Sequence, residues 1–334
     1  MRAGEVRDRG PGFVARAGAA VTIYRLSPEV DRVVILVNPR AGARSAQAPI
    51  DRLVALLVGH GQQVEISADL SEASGRANHW YAQGALRALV AAGGDGTAAE
   101  LVNRTAPGVP LALFPIGTEN LLARYLKIDR SPQTLDRIIC AGTVRRLDAG
   151  SAHGRLFLLM ASCGFDADVV QRVHLRRGAH IGRLSYLPSI LQSLRDYSFP
   201  EIRIDFLGDG AGGETLSTSS VRWAFVFNLP CYGGGFRLPA GADGTDGLLD
   251  VCSFRQGSFR HAVQLALAAF FGQQQHLAGW EMRRSKHIRI RSTQPVPYQL
   301  DGDPGGHLPL ELDVVPGRLN VLVAPPASSS ASEK

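Results

Sequence analysis

Three short segments of the chain combine glycine with small polar residues in patterns suited to holding phosphate. The densest is Gly93-Gly94-Asp95-Gly96-Thr97-Ala98-Ala99-Glu100, which follows the apolar run 86–92. Its glycines let a ligand approach the backbone closely, and the free amides at a helix start form an anion site. Thr97 and Glu100 have the spacing of a capping box, which predicts Thr97 as the cap of the following helix. Asp95, at the carboxyl end of a strand, is placed to hold a metal-bound phosphate or a substrate hydroxyl. A tight turn that needs glycine only for steric reasons would carry the same string. Two further segments favour the ligand reading: Asn38-Pro39-Arg40-Ala41-Gly42 after one apolar run, and Pro115-Ile116-Gly117-Thr118-Glu119-Asn120 after another. If all three leave strands at the same end of a sheet, they converge on one crevice.

The surrounding pattern predicts that sheet. Strands are expected at 33–37, 64–67, 86–92 and 111–114. Helices are expected at 48–60, 71–83 and 97–103, with another opening near Thr118. Strands alternating with helices indicate a parallel sheet covered by helices. After Gly142 the texture changes: strand-like segments at 144–148, 156–160, 201–206, 222–228, 248–254, 286–291 and 319–323 are mostly not separated by helices, apart from insertions near 166–175, 184–197 and 258–271. The fold class expected is an α/β N-terminal nucleotide-binding domain with a parallel sheet, plus a C-terminal antiparallel β-sandwich domain. The expected divisions are a mobile arm at 1–30, the α/β domain at 31–143, the sandwich at 144–324 and a disordered tail at 325–334.

Composition excludes several classes. The 334 residues carry 36 Lys and Arg against 30 Asp and Glu, a net charge of +6, and the only lysines are Lys127, Lys286 and Lys334. That balance suggests an anionic partner without naming it. No stretch approaches the roughly 20 apolar residues of a spanning helix. Arg16 interrupts the one segment that would serve as a signal-peptide core, so secretion is not expected. Cys140, Cys163, Cys231 and Cys252 show no C-x-x-C spacing and suggest neither a zinc site nor a disulfide framework. A cytoplasmic location is expected, with reduced thiols. The chain lacks the G-x-x-x-x-G-K-[ST] loop and the H-R-D and D-F-G segments, which excludes those kinase classes.

The three loops together, Val37-Asn38-Pro39 with Gly42, Gly93 to Thr97 with Glu100 and Asn103, and Pro115-x-Gly117-Thr118-x-Asn120 with Ala123-Arg124, resemble the diacylglycerol kinase catalytic domain family, whose members include bacterial lipid kinases and sphingosine and ceramide kinases. Later matches are Asp148-Ala149-Gly150, Gly233-Gly234-Gly235, Pro239-Ala240 with Asp246 to Val251, and Asp301-Gly302-Asp303. The resemblance runs in order from about 32 to 324. It implies ATP and substrate meeting between an α/β domain and a β-sandwich. It also implies that Asn38, Ser67, Gly93, Gly94, Asp95, Gly96, Thr97 and Thr118 surround ATP, and that Asp243, Asp246 and Leu248 form a metal loop. Oxygen ligands of that kind suit Mg²⁺ or Ca²⁺, and Mg²⁺ is the ion expected.

The same resemblance places a catalytic base at Asp303, where relatives usually carry glutamate; Asp95 is the competing candidate. In an extended segment Asp301 and Asp303 would share a face, one positioning while the other accepts the proton. A plain hairpin turning at Pro304-Gly305-Gly306 is the structural alternative. Gly208 to Gly213 spells G-x-G-x-x-G, but no helix follows, so a hairpin loop is expected there. Arg172, Arg176, Arg177 and Arg183 with His174 and His180, and Arg283, Arg284, Lys286, Arg289 and Arg291, read either as solvated faces or as a surface for anionic lipid. The reading that results is an ATP-dependent lipid kinase acting on diacylglycerol from the cytoplasmic side of a membrane, with no nucleic-acid partner and homodimerisation left open. The alternatives are another lipid-alcohol or sphingoid-base kinase, an NAD kinase-like enzyme, and a catalytically weak lipid-binding regulator.

Overall fold

The computed structural model of the chain describes residues 13–14, 23–38, 43–176, 187–209, 213–233, 241–258, 260–261, 263–264, 268 and 279–326. Several expectations fall outside these residues: Pro39 to Gly42, Arg177, His180, Arg183, Gly234-Gly235, Pro239-Ala240, most of the helix expected at 258–271, most of the N-terminal arm and the end of the C-terminal tail. The chain forms two compact units, residues 1–147 with 319–334, and residues 148–318. The C-terminal strand therefore returns to the first unit, a division that no linear reading of the sequence contains.

The elements of the first unit are β1 (Phe13–Val14), β2 (Ile23–Leu26), β3 (Arg32–Val37), α1 (Ala43–Gly59), β4 (Gln63–Ser67), α2 (Leu70–Ala82), β5 (Leu86–Gly93), α3 (Asp95–Arg104), β6 (Pro110–Pro115), α4 (Leu121–Tyr125), α5 (Pro132–Ala141) and the first half of β7 (Thr143–Ala152), whose residues 148–152 belong to the second unit. β18 (Leu310–Leu322) joins them by its last residues, giving the strand order β1-β2-β7-β18-β6-β5-β3-β4. β4, β3, β5, β6 and the end of β18 run parallel. Every residue of β5 and β6 is buried, as expected for strands covered on both faces. α1 packs on α5, and α2 packs on α3.

Local differences from the expected elements have identifiable causes. α1 begins at Ala43, and Pro49 lies inside it. A proline there removes one bond to the carbonyl four residues earlier, while fully buried Ile50, Leu53 and Leu57 hold the helix against the sheet. α5 was not expected, yet its ends are written locally. The Ser131 hydroxyl accepts from the Thr134 amide, Pro132 opens the helix, and Gly142 at φ 62° closes it. Behind it the buried Arg87 guanidinium donates to Ile139 O at 2.7 Å, Ser27 O at 2.8 Å and Cys140 O. Within the span expected to be an arm, β2 pairs with β7 in register Ile23↔Arg145.

The second unit contains β8 (Arg155–Phe157), β9 (Met160–Cys163), α6 (Phe165–Leu175), α7 (Leu187–Asp196), β10 (Ile202–Leu207), β11 (Thr215–Val221), β12 (Trp223–Phe227), β13 (Leu249–Phe254), β14 (Trp280–Ser285), β15 (His287–Arg291), β16 (Pro297–Leu300) and β17 (Asp303–His307). β11, β10, β15 and the start of β18 form one antiparallel sheet. β14-β13-β12-β9-β16-β17 form the other. Ile204, Phe206, Ile288, Ile290, Leu310 and Leu312 of the first sheet meet Ala161, Ala224, Val226, Val251 and Leu300 of the second in one core. The alternating burial of β15 and of the start of β18 is the signature of a strand with one face inward. The β10–β11 pair is antiparallel, with Gly208 N donating to Glu214 O at 2.9 Å; Gly210 to Gly212 of the G-x-G-x-x-G string lie outside the described residues. Among the described residues no helix is long and apolar enough to cross a membrane.

Candidate active site

Parallel register brings the polar strand ends of the first unit to one edge. Leu36 is opposite Ser67, Val37 opposite Ala92, and Gly93 opposite Pro115. The loops after β3, β5 and β6 therefore leave side by side, the placement at which open α/β sheets bind ligands. The Asn38 amide nitrogen donates to the Thr97 hydroxyl at 2.9 Å, tying the first loop to the second. Ile116 N and Gly117 N donate to Gly93 O, each at 3.2 Å, tying the second to the third. Gly93, Gly94, Asp95, Pro115 and Asn120 line the narrow crevice between these last two.

The glycines of the loop have different reasons. A Cβ on Gly93 would stand 2.2 Å from the Thr97 hydroxyl, and one on Gly117 would stand 2.6 Å from the Gly94 Cα. Both are dictated by packing. Gly96 is exposed, and a Cβ there would meet nothing within 4 Å. It sits in the first turn of α3, whose cap is Gly94 with no side-chain capping bond.

Thr97 is thus the third residue of α3 and not its cap. The helix starts three residues earlier than its Thr97–Glu100 spacing suggests, because Gly94 O already accepts from Thr97 N at 3.0 Å. The Thr97 hydroxyl serves Asn38. Thr118 is exposed in the third loop. Ser67 is buried at the end of β4, and its hydroxyl donates to the Glu72 carboxylate and to Asp69 O at 3.2 Å.

Asp95 accepts from Leu121 N through Oδ2 and from Leu122 N through Oδ1, both at 2.9 Å. Its two oxygens hold the start of α4 against the glycine loop. Burial pushes its carboxyl above the usual range, opposed by those two amides. Asn120, at φ 50°, adds a second lock: its Oδ1 accepts from Gly117 N at 3.0 Å and its Nδ2 donates to Gly117 O at 2.8 Å. The left-handed residue explains why the helix expected near Thr118 begins only at Leu121.

In the second unit Asp301-Gly302-Asp303 is not an extended segment, and its two carboxylates have different partners. Asp301, at φ 51°, forms the β16–β17 turn with Gly302. Its carboxylate accepts from Leu158 N at 2.6 Å, Leu159 N at 2.8 Å and Met160 N at 3.0 Å. Pro304-Gly305-Gly306 lies within β17 rather than at the turn, and the reason is steric. The Tyr298 ring packs where a Cβ on Gly305 would stand. Asp303 opens β17 with its side chain about two-fifths exposed, and its Oδ2 lies 3.7 Å from the Arg155 guanidinium.

The 243–248 loop is organised by Asp148, a residue absent from the sequence-based site. Asp148 Oδ2 accepts from Gly247 N at 2.8 Å, Oδ1 accepts from Gly317 N at 2.7 Å, and its amide donates to Gly244 O at 2.7 Å. Burial raises its carboxyl, and the negative charges of Asp246 and Asp243 raise it further. The same causes act on Asp250, whose Oδ2 is buried without a hydrogen-bond partner while Oδ1 accepts from Arg284 at 3.1 Å. Asp148, Asp243, Asp246 and Asp250 place four carboxylates around this loop, and the Arg284 guanidinium lies 3.1 Å from Asp250 and 3.8 Å from Asp246; carboxylate and carbonyl oxygens are the ligand chemistry of a hard cation such as Mg²⁺.

The basic stretch at 283–291 is paired with carboxylates: Arg283 with Glu281 on the same strand, Arg284 with Asp250, Lys286 with Asp209, Arg289 with Glu311 and Arg291 with Asp205. On α6, Arg172 pairs with Asp168 and Asp196.

A phosphate-type loop edge on a parallel sheet, followed by an antiparallel sandwich bearing a carboxylate hairpin, defines a two-domain kinase. Comparison with known proteins gives the family. Residues 32–152 match the diacylglycerol kinase catalytic domain, and residues 160–323 match the YegS C-terminal NAD kinase beta sandwich-like domain. The chain carries a diacylglycerol kinase catalytic domain and is a lipid kinase. It is 27% identical over 292 residues to a diacylglycerol kinase of Bacillus subtilis, covering 84% of this chain and 92% of that protein. It is 27% identical over 304 residues to one of Mycobacterium tuberculosis, covering 88% and 96%. The crystal structure of a diacylglycerol kinase from Bacillus anthracis strain Sterne shares the fold, with a TM-score of 0.65 at 20% identity over 88% of this chain and 98% of that one.

Proposed function

We infer that this lipid kinase transfers the γ-phosphate of ATP to the primary hydroxyl of diacylglycerol, giving phosphatidic acid and ADP. The observation that carries the nucleotide half is Gly96: a glycine that packing does not require, exposed in the first turn of a ten-residue helix, next to a loop edge fixed by Asn38, Thr97 and Asn120. The α3 amides bind phosphate oxygens there, and the bare Gly96 backbone lets them come close. Thr118 and Asn38 flank the phosphates. Ser67 stands at the far side of the edge and acts through the Glu72 contact that fixes its loop. Asp95 acts as a positioning residue, holding α4 and the third loop in place.

Asp303 takes the proton of the acceptor hydroxyl. The hydroxyl oxygen forms its bond to the γ-phosphorus as the bond to the bridging oxygen of ADP breaks, and the charge that develops is met by fixed amide dipoles. Asp243, Asp246 and the Leu248 carbonyl would hold Mg²⁺, which would supply positive charge against the carboxylates of the 243–248 loop. Arg155, 3.7 Å from Asp303, orients the Asp303 carboxylate. The lipid is collected from a membrane surface at the end of α6, where Leu175 is 80% exposed. The cytoplasm supplies the ATP.

The test is ATP phosphotransfer over a panel of lipid alcohols in mixed micelles, with diacylglycerol, a sphingoid base and a monoacylglycerol among the acceptors. Diacylglycerol is expected to be the preferred acceptor. Labelling of no lipid would sink the reading, and preference for the sphingoid base would replace the substrate.

A further inference from the structure

On the helical layer of the first unit, three metal-ligating side chains from two helices meet at one point. His60 follows the last residue of α1, and its Nδ1 lies 3.0 Å from Asp136 Oδ1 on α5. One turn further along α5, the Cys140 thiol donates to the same Asp136 oxygen at 3.7 Å. The three donor atoms all lie within 4.8 Å of one another. The Asp136 side chain is buried at 5% exposure, and that of His60 is open at 57%.

We propose that His60, Asp136 and Cys140 form a site for a thiophilic divalent cation, Zn²⁺ being the best match, that joins α1 to α5. The donor set is one imidazole nitrogen, one carboxylate oxygen and one sulfur, the mixed N/O/S chemistry that selects zinc over magnesium or calcium. Bonds of about 2.0–2.3 Å in a tetrahedron separate neighbouring ligands by about 3.3–3.8 Å. The observed spacing, within 4.8 Å, reaches that geometry by a shift of at most about 1.3 Å, which exposed His60 at a helix end can make. The open side of His60 leaves the fourth position to water. Binding displaces the Cys140 proton to solvent, His60 binds neutral through Nδ1, and one carboxylate and one thiolate cancel the charge of the ion.

The surroundings favour that state. Cys140 lies in the last turn of α5 and His60 just beyond the end of α1, so the negative ends of two helix dipoles face the site. Arg87, bonded to the Cys140 carbonyl, acts in the direction of a thiolate, while burial and Asp136 hold the thiol protonated when no cation is present. Spacing along the chain hides the site, because the ligands lie 76 residues apart in sequence. This site draws on residues that the proposed phosphotransfer does not use.

The experiment is titration of the purified full-length chain with Co²⁺ and then Zn²⁺, read by absorption and by thermal unfolding. A thiolate-to-cobalt charge-transfer band at one equivalent, bleached by Zn²⁺, is expected, with an unfolding temperature that rises with added Zn²⁺. Cys140→Ser abolishes the band. His60→Ala, at a side chain 57% exposed, weakens Co²⁺ binding by more than about tenfold, the low end of what even an outer-shell partner costs. Absence of the band in the wild-type chain overturns the proposal. So does its persistence in Cys140→Ser, which would assign it to another cysteine, or undiminished affinity in His60→Ala.

Discussion

Replacing two glycines three positions apart separates packing from ligand binding in the loop after β5. In Gly93→Ala the new methyl stands 2.2 Å from Thr97 Oγ1 and 2.7 Å from Thr97 Cβ. Overpacking of that kind costs about 1–3 kcal/mol. The first unit, at about 2–4 °C per kcal/mol for a body of its size, loses several degrees of thermal stability. In Gly96→Ala the methyl meets nothing within 4 Å, and alanine in a helical turn gains up to about 1 kcal/mol over glycine. That variant melts at or slightly above the wild-type temperature. Yet its methyl occupies the space a phosphate needs against the α3 amides, so ATP affinity falls by at least about tenfold, roughly 1.4 kcal/mol. Thermal unfolding with and without a non-hydrolysable ATP analogue, together with the KM for ATP, reads both halves. A Gly96→Ala enzyme that is stable and binds ATP like the wild type would remove the phosphate from the start of α3.

The two carboxylates of the β16–β17 hairpin separate in the same manner. Asp301→Asn leaves at least one of the three amides at 158–160 without an acceptor and costs about 1–3 kcal/mol in denaturant unfolding. Asp303→Asn leaves stability unchanged and lowers kcat by about 10²–10⁴; retention of full activity would move the base elsewhere. Asp95→Asn turns an NH₂ group toward Leu121 or Leu122 N–H, costs about 1–3 kcal/mol, and increases amide exchange in α4; an unchanged α4 would refute its positioning role. Asp166, whose carboxylate accepts from Ser162, Tyr232 and Gln299, has its carboxyl raised by burial. The folded chain then holds this proton more tightly than the unfolded chain, so its contribution is full below about pH 4 and is lost as pH rises through the folded value. Asp166→Asn flattens that decline in unfolding free energy, and parallel profiles for wild type and variant would exclude Asp166 as its source.

Local sequence determined the parallel core and the loop edge. Alternation of buried strands with amphipathic helices set β3, β5 and β6 within a residue or two, and Gly-Gly-Asp-Gly marked a strand-to-helix turn. Patterns of that kind rest on periodicity and backbone freedom, which act over a few residues. The ends of α5 were also locally written, in Ser131-Pro132 and Gly142. What the sequence alone left undecided depended on partners distant in the chain. Asp95 became the anchor of α4 because Leu121 and Leu122 amides fold back over it. Asp301 and Asp303 parted because three amides at 158–160 draw one of them into a left-handed turn. Asp148 came to organise the 243–248 loop from 99 residues away in sequence. A carboxylate has no local preference that reveals which amides will reach it; long-range packing brings those amides together and so decides whether it anchors a loop or faces a substrate.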